Sequence, residues 1–243
     1  MHLEQLYDDG TRAWWYAGRD PERPSTMIDS NQYLVVHAGR GLLPDPGGVE
    51  VFPAALTAFG RAIPIADIDV LTASHQDPDI ISSLELWLDV TSGVEVYAPW
   101  LWQTFISHFA PDADIRGIPD EGGPLRLGGS TDLTFVPAHY LHASGNHMIY
   151  DPRAKILFSA DVGAALLPDD APIVVEDFDR HVDAMTGFHQ RWMPSNTAKR
   201  KWIERVRHLE IEQMCPQHGS IFRGDDVARF LQWFDELEVG LAA

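Results

Sequence analysis

In the stretch Leu71-Thr72-Ala73-Ser74-His75-Gln76-Asp77-Pro78-Asp79-Ile80, one imidazole and two carboxylates stand at alternate positions. The lead-in, Ile68-Asp69-Val70-Leu71-Thr72, is apolar and β-branched and predicts a buried strand. On an extended backbone, side chains two apart share a side, so His75, Asp77 and Asp79 would converge at the mouth of that strand. Pro78 withholds a backbone donor, which suits a loop and not a central strand. Nitrogen and oxygen ligands of this kind are what a metal site needs. Taken alone, the stretch reads equally well as a polar turn with a chance histidine.

Later stretches repeat the pattern. His142 closes Val136-Pro137-Ala138-His139-Tyr140-Leu141-His142, after the apolar run Leu133-Thr134-Phe135-Val136. Asp161 ends Ile156-Leu157-Phe158-Ser159-Ala160-Asp161, and His218 follows the run from Ile211 to Cys215 in Cys215-Pro216-Gln217-His218-Gly219. Four strands thus deliver a His or an Asp at their C-terminal ends, where α/β sheets place their sites.

With these residues in view, the chain resembles the metallo-β-lactamase fold. It is similar, more narrowly, to the diiron domain of flavodiiron proteins and their stand-alone oxygen-binding diiron relatives. The family's first motif is His-x-Glu-x-Asp-His, where hydrolases of the superfamily carry His-x-His-x-Asp-His; here it reads His75-x-Asp77-x-Asp79-Ile80. The interval from His142 to Asp161 equals the family's spacing between its lone histidine and its bridging aspartate. Leu157-Phe158-Ser159-Ala160-Asp161 resembles the family's Leu-Phe-Ser-Asn-Asp, and Met214-Cys215-Pro216-Gln217-His218-Gly219 its apolar-Ala-Pro-Ser-His-Gly. One departure stands out: Ile80 occupies the place of a second-iron histidine. The resemblance implies that His75, Asp77 and His142 hold one metal, that Asp79 and His218 hold the other, and that Asp161 bridges them.

Composition narrows the function classes. At 243 residues and 45% hydrophobic content, one large α/β domain over 1–243 can bury a full core. Acidic residues number 36 against 18 basic, a formal charge of −18, which repels nucleic-acid phosphates and anionic lipid. No apolar run reaches a membrane helix, and the N-terminal residues do not open a signal peptide. The single cysteine, Cys215, fits a reducing compartment, so a cytoplasmic protein is expected, and a homodimer with it.

The positioning elements follow from pattern. Ala13-Trp14-Trp15-Tyr16 predicts an edge strand running into a loop over 18–24, and Met27 to Val36 another strand. Phe52 to Phe59 has helical spacing, Ser82 to Leu88 predicts a short helix, and Val94 to Ala98 a strand. Leu101 to Phe109 carries a helical apolar stripe, and Gly122-Gly123 and Gly128-Gly129 mark hairpin turns. Val174 to Pro194 resembles the family's long helix that roofs the site, although Met185, Phe188 and Trp192 fit plain packing as well. Thr197 to Glu212 is amphipathic, and Asp225 or Asp226 can cap a last helix through Leu237. Strand–helix alternation in each half predicts a four-layer αββα sandwich. No stretch resembles a flavodoxin or rubredoxin domain.

The candidate metal ligands are therefore His75, Asp77, Asp79, His142, Asp161 and His218. A mixed N/O set without thiolate suits iron, zinc or manganese, and the extra anionic ligand at Asp77 favours the higher charge of a ferric pair. Two iron ions are the expected cofactor. Tyr16, Ile80 and His181 are the candidate pocket residues, and Asp45, in Asp45-Pro46-Gly47, is a turn former or a support for a ligand. His139 or His147 can replace the missing histidine if a turn recruits it; the reading that fits each better is a support behind a ligand or a solvated ring. Function narrows to a diiron protein that binds or reduces O2, NO or peroxide with electrons from a separate donor, or an oxygen sensor acting through a signalling partner. A zinc or manganese hydrolase of lactones, thioesters or phosphodiesters is the alternative.

Overall fold

The central strands of both sheets are buried almost without a break, so each sheet has two buried faces and must be covered on both sides. The computed structural model describes residues 1–18, 20, 22–23 and 26–241. The first sheet runs in sequence order: β1 (His2–Asp8), β2 (Arg12–Gly18), β3 (Gln32–His37), β4 (Arg40–Pro44), β5 (Ile68–Thr72), β6 (Glu95–Pro99) and β7 (Ile115–Ile118). β1 to β4 are antiparallel, and β4 to β7 are parallel. The second sheet has the order β13-β12-β11-β10-β9-β8, from β8 (Gly123–Leu127), β9 (Ser130–Pro137), β10 (His147–Asp151), β11 (Ile156–Ala160), β12 (Gln213–Pro216) and β13 (Phe222–Arg223).

Three apolar layers result. Between the sheets lie Tyr16, Tyr33, Val70, Phe135, Phe158 and Cys215. Outside the first sheet, α1 (Phe52–Phe59), α2 (Pro78–Ile81), α3 (Leu84–Val90) and α4 (Gln103–Ile106) bury Phe59, Ile80, Trp87 and Ile106 against its outer face. Outside the second, α5 (Phe178–Trp192), α6 (Asn196–Val206) and α7 (Asp225–Glu236) bury Met185, Trp202 and Phe230. The architecture is the expected αββα sandwich. The buried Arg12 fastens the two sheets at the end away from the strand termini of interest, donating to Asp151 at 2.7 Å and Asp132 at 2.8 Å.

Several expectations need correction. The N-terminal residues form β1, so β2 pairs on both sides and is not an edge; of the loop expected after it, Arg19, Pro21 and Pro24 lie outside the described residues. Gly122 crosses from one sheet to the other, and only Gly128-Gly129 closes a hairpin, between β8 and β9. The stripe from Leu101 to Phe109 breaks into a 3-10 turn and the short α4. Neither aspartate caps α7: Gly224 occupies that position, and Asp225 and Asp226 sit in the first turn beside the helix dipole.

Candidate metal centre

The six candidate ligands meet at one end of the sandwich because their strands end there together. β11 and β12 are parallel, with Ala160 opposite Pro216, so Asp161 and His218 emerge side by side. β5 delivers His75 from the other sheet, and the loop joining the antiparallel β9 and β10 carries His142. Asp77 and Asp79 arrive differently from the expectation. Asp77 is extended (φ −68°, ψ 148°) and sits at the N-cap position of α2, with Asp79 in its first turn. Pro78 therefore opens a helix, as proline does at the first helical position, and the carboxylates converge around a helix start, not along a strand.

Asp161 lies at the middle of the cluster. Its Oδ2 is 2.7 Å from His142 Nε2 and 3.4 Å from His75 Nε2, and its Oδ1 is 3.5 Å from His218 Nε2. Asp77 Oδ2 lies 3.5 Å from both His75 and His142, whereas Asp79 Oδ2 lies 3.2 Å from His218. The donors thus fall into two sets that share one carboxylate: His75, His142 and Asp77 on one side, Asp79 and His218 on the other. Ligand atoms of His75, Asp77 and His142 lie within 4.8 Å of one another.

Hydrogen bonds behind the rings fix which nitrogen faces the cluster. Ser74 donates its hydroxyl to Asp45 at 2.6 Å, so its oxygen accepts from His75 Nδ1 at 2.9 Å. His218 Nδ1 donates to the Asp29 carbonyl at 2.7 Å. In both rings Nε2 is the nitrogen left to face the carboxylates, the orientation that ligating histidines owe to their outer partners. His75 Nε2 and Asp161 Oδ1 are buried without a hydrogen-bond partner. Such atoms are costly inside a protein, and a cation among them would satisfy both, so the donor set fits a metal pair.

Electrostatics follow the same geometry. Burial alone would lower the His75 pKa, yet Asp161 and Asp77 raise it well above the ordinary range. Burial likewise opposes the shift of His218, which Asp79 and Asp161 lift to about 9. Asp161 is held well below its usual range against burial by His142, His75 and His218. Asp45 goes the other way: burial pushes it up to about 7, with His75 and Ser74 pulling against. It touches Ser74 and only through it His75, the supporting role expected as one of two.

A cavity of about 420 Å3 opens onto the cluster, and Met27, Ile28, Glu50, Phe188 and Trp192 line it beside the ligands. Trp192 and Phe188 lean edge-on to the His142 ring, at 5.5 and 6.3 Å between centroids, so the roof reading of α5 holds for these two. Met185, fully buried, is core. The three expected pocket residues lie elsewhere. Tyr16 is buried between the sheets and donates to Asn31 at 3.0 Å; Asn31 in turn holds the carbonyls of Pro216 and Gly219 around His218. Ile80 is buried under the outer helices. His181 lines a separate cavity of about 350 Å3 with Arg180 and Val175. His139 and His147 donate to the carbonyls of Asp120 and Pro119, and neither lines the mouth. Met27 and Ile28, expected at the start of a strand, lie in the loop before β3, and Glu50 comes from a loop with no period to read, so sequence reasoning missed all three.

A model of the family described as "ODP family beta lactamase" matches residues 28–219. Among solved structures, the peroxy diiron species of the chemotaxis sensor ODP is 37% identical with a TM-score of 0.88, covering 99% of this chain and 97% of that one. The apo state of that sensor from T. denticola is 38% identical, with the same TM-score and coverage of 98% and 96%. A flavo di-iron protein from Thermotoga maritima, 23% identical with a TM-score of 0.81, covers 96% of this chain and 60% of that one and speaks to the fold alone. Among curated proteins, diflavin flavoprotein A 1 of Synechocystis is 27% identical over 176 residues, 68% of this chain and 30% of that protein. The chain thus spans less than a third of that relative.

Proposed function

Because the chain belongs to the family described as ODP family beta lactamase, we propose that it is a non-haem diiron protein that responds to O2, as a sensor and not as a hydrolase. The observation that carries this is the shared Asp161, whose two oxygens face two separate sets of N/O donors. Three carboxylates beside three histidines neutralise a highly charged iron pair better than they suit two zinc ions. The likeness to the chemotaxis sensor ODP, 37% identical in sequence, supports sensing over reduction. NO or peroxide would reach the same site.

In this reading His75, His142 and Asp77 hold one iron, Asp79 and His218 hold the other, and Asp161 is shared. An iron pair held there would supply the redox chemistry toward O2. The chain supplies the rest. Ser74 and Asp29 orient the rings of His75 and His218. Met27, Ile28, Phe188 and Trp192 give the mouth an apolar wall, which admits a small apolar molecule and keeps bulk water off the centre. The residues 1–243 act as one diiron unit, a cytoplasmic homodimer signalling through a separate protein. Cys215 is buried and unpaired, which fits a reducing compartment.

Metal analysis of protein expressed with iron tests the reading. About two irons per chain are expected, with near-ultraviolet absorption that dithionite bleaches. Protein that holds only zinc and cleaves lactones or thioesters would overturn it.

A further inference from the structure

Ile80 stands where the resemblance places a histidine, and its side chain is fully buried among Leu84, Trp87 and their neighbours. The second donor set is therefore short: Asp79, His218 and the shared Asp161. His139 and His147 do not reach it, since both rings are bonded to the carbonyls of Asp120 and Pro119. Three further donor groups line the mouth: the Met27 thioether, the Ser82 hydroxyl and the Glu50 carboxylate. A thioether is a soft ligand mismatched to iron among carboxylates. The Ser82 hydroxyl already accepts the Val49 N–H at 3.2 Å.

Glu50 differs from both. It is half-buried, and among the described residues its carboxylate has no hydrogen bond or ion pair. Its loop is tied to the segment that carries Asp79: Gly47 N–H donates to the Ile80 carbonyl at 2.9 Å, and Ser83 N–H to the Gly47 carbonyl at 3.1 Å. Glu50 is thus carried on the same unit as Asp79. Gly48 leaves it room, because a Cβ there would lie 2.3 Å from Glu50 Oε1. We infer that Glu50 supplies the carboxylate that completes the second metal position in place of the histidine missing at Ile80. This rests on the two-metal reading above, and it would make the second position the more anionic of the two.

The test is anaerobic titration of the metal-free full chain with Fe(II), followed by calorimetry and by metal analysis after desalting. Wild type should bind two equivalents. Glu50→Gln should bind the first unchanged and the second at least tenfold more weakly, losing it on desalting. Ser82→Ala should match wild type, and Glu50→His, which returns a ligating group to the mouth, should recover the second equivalent. A second equivalent of wild-type affinity in Glu50→Gln would overturn the assignment and leave the diiron reading standing. Equal weakening of both equivalents would also overturn it, since Glu50 would then act through general charge. A wild type that binds a single equivalent would bring down the two-metal reading and this assignment with it. If Glu50→Gln fails to fold, as seen by loss of its apo melting transition, Glu50→Ala takes its place: loss of the second equivalent alone supports the assignment, and a second equivalent of wild-type affinity overturns it.

Discussion

Three histidines and three carboxylates packed this closely are stable only because each ring presents a chosen nitrogen. Ser74 and the Asp29 carbonyl take the Nδ1 protons of His75 and His218, and Nε2 is left facing the carboxylates. Asp161 is the residue on which both halves depend, since its oxygens face different rings. Asp161→Ala should therefore lose both metals, whereas Asp79→Ala should lose mainly one. Metal content after gel filtration checks this, and full retention by Asp161→Ala would refute the shared role. The six candidate ligands were legible because each follows an apolar strand, and strand ends are what a sheet gathers. Tyr16, Ile80 and His181 misled because composition does not say which face a side chain takes. Tyr16 turned into the layer between the sheets, Ile80 rode the inner side of a helical turn, and His181 faced another cavity.

At the scale of elements, the site depends on how α5 is fixed over it. Asp177 caps the helix by accepting the Arg180 N–H at 3.2 Å, and Phe178, His181, Met185 and His189 bury one stripe. His189 is the clamp. Its Nδ1 donates to the Met185 carbonyl at 2.8 Å, so its Nε2 must accept the Gly163 N–H at 3.0 Å, two residues after Asp161. That arrangement needs a neutral ring, and burial pushes its pKa down to about 4. A folded pKa below the unfolded value of about 6.5 means stability that is complete above that value and lost as pH falls toward 4. His189→Phe should cost about 2 kcal/mol at pH 7.5, largely from the stranded Gly163 N–H. The deficit should shrink by about 2 kcal/mol at pH 5, where the unfolded wild type takes up a proton that the buried ring does not. Urea unfolding of both metal-free proteins measures it, because other histidines titrate alike in the two and cancel. A deficit independent of pH would mean that His189 is merely packed. The helix was legible from its period, but the clamp was not: it joins residues 26 apart through a backbone N–H, which no side-chain pattern records. β1 and the α2 turn were missed for a related reason, an exposed edge strand and a four-residue helix being too weakly patterned to read.

For the molecule as a whole, the question is where electrons come from and where the response goes. The ligands come from both sheets, so the centre lies across the joint between the halves, with Asn31 reaching over to hold the His218 loop. A change at a metal pair held there would thereby be coupled to the packing of the halves, which suits a protein that reports its state by shape. The formal charge of −18 also slows encounter with any acidic electron carrier, more so at low salt. A sensor needs one slow reset for each event, and a reductase needs fast refilling. Reduced protein mixed with O2 should therefore react once and then rest in the oxidised state. Addition of a reduced rubredoxin or flavoprotein should leave steady O2 consumption within about twofold of the donor's own background at any salt concentration. Stopped-flow mixing followed by an oxygen electrode gives both numbers. Sustained consumption of many O2 per chain, rising with donor concentration, would make the protein a reductase and remove the sensor reading.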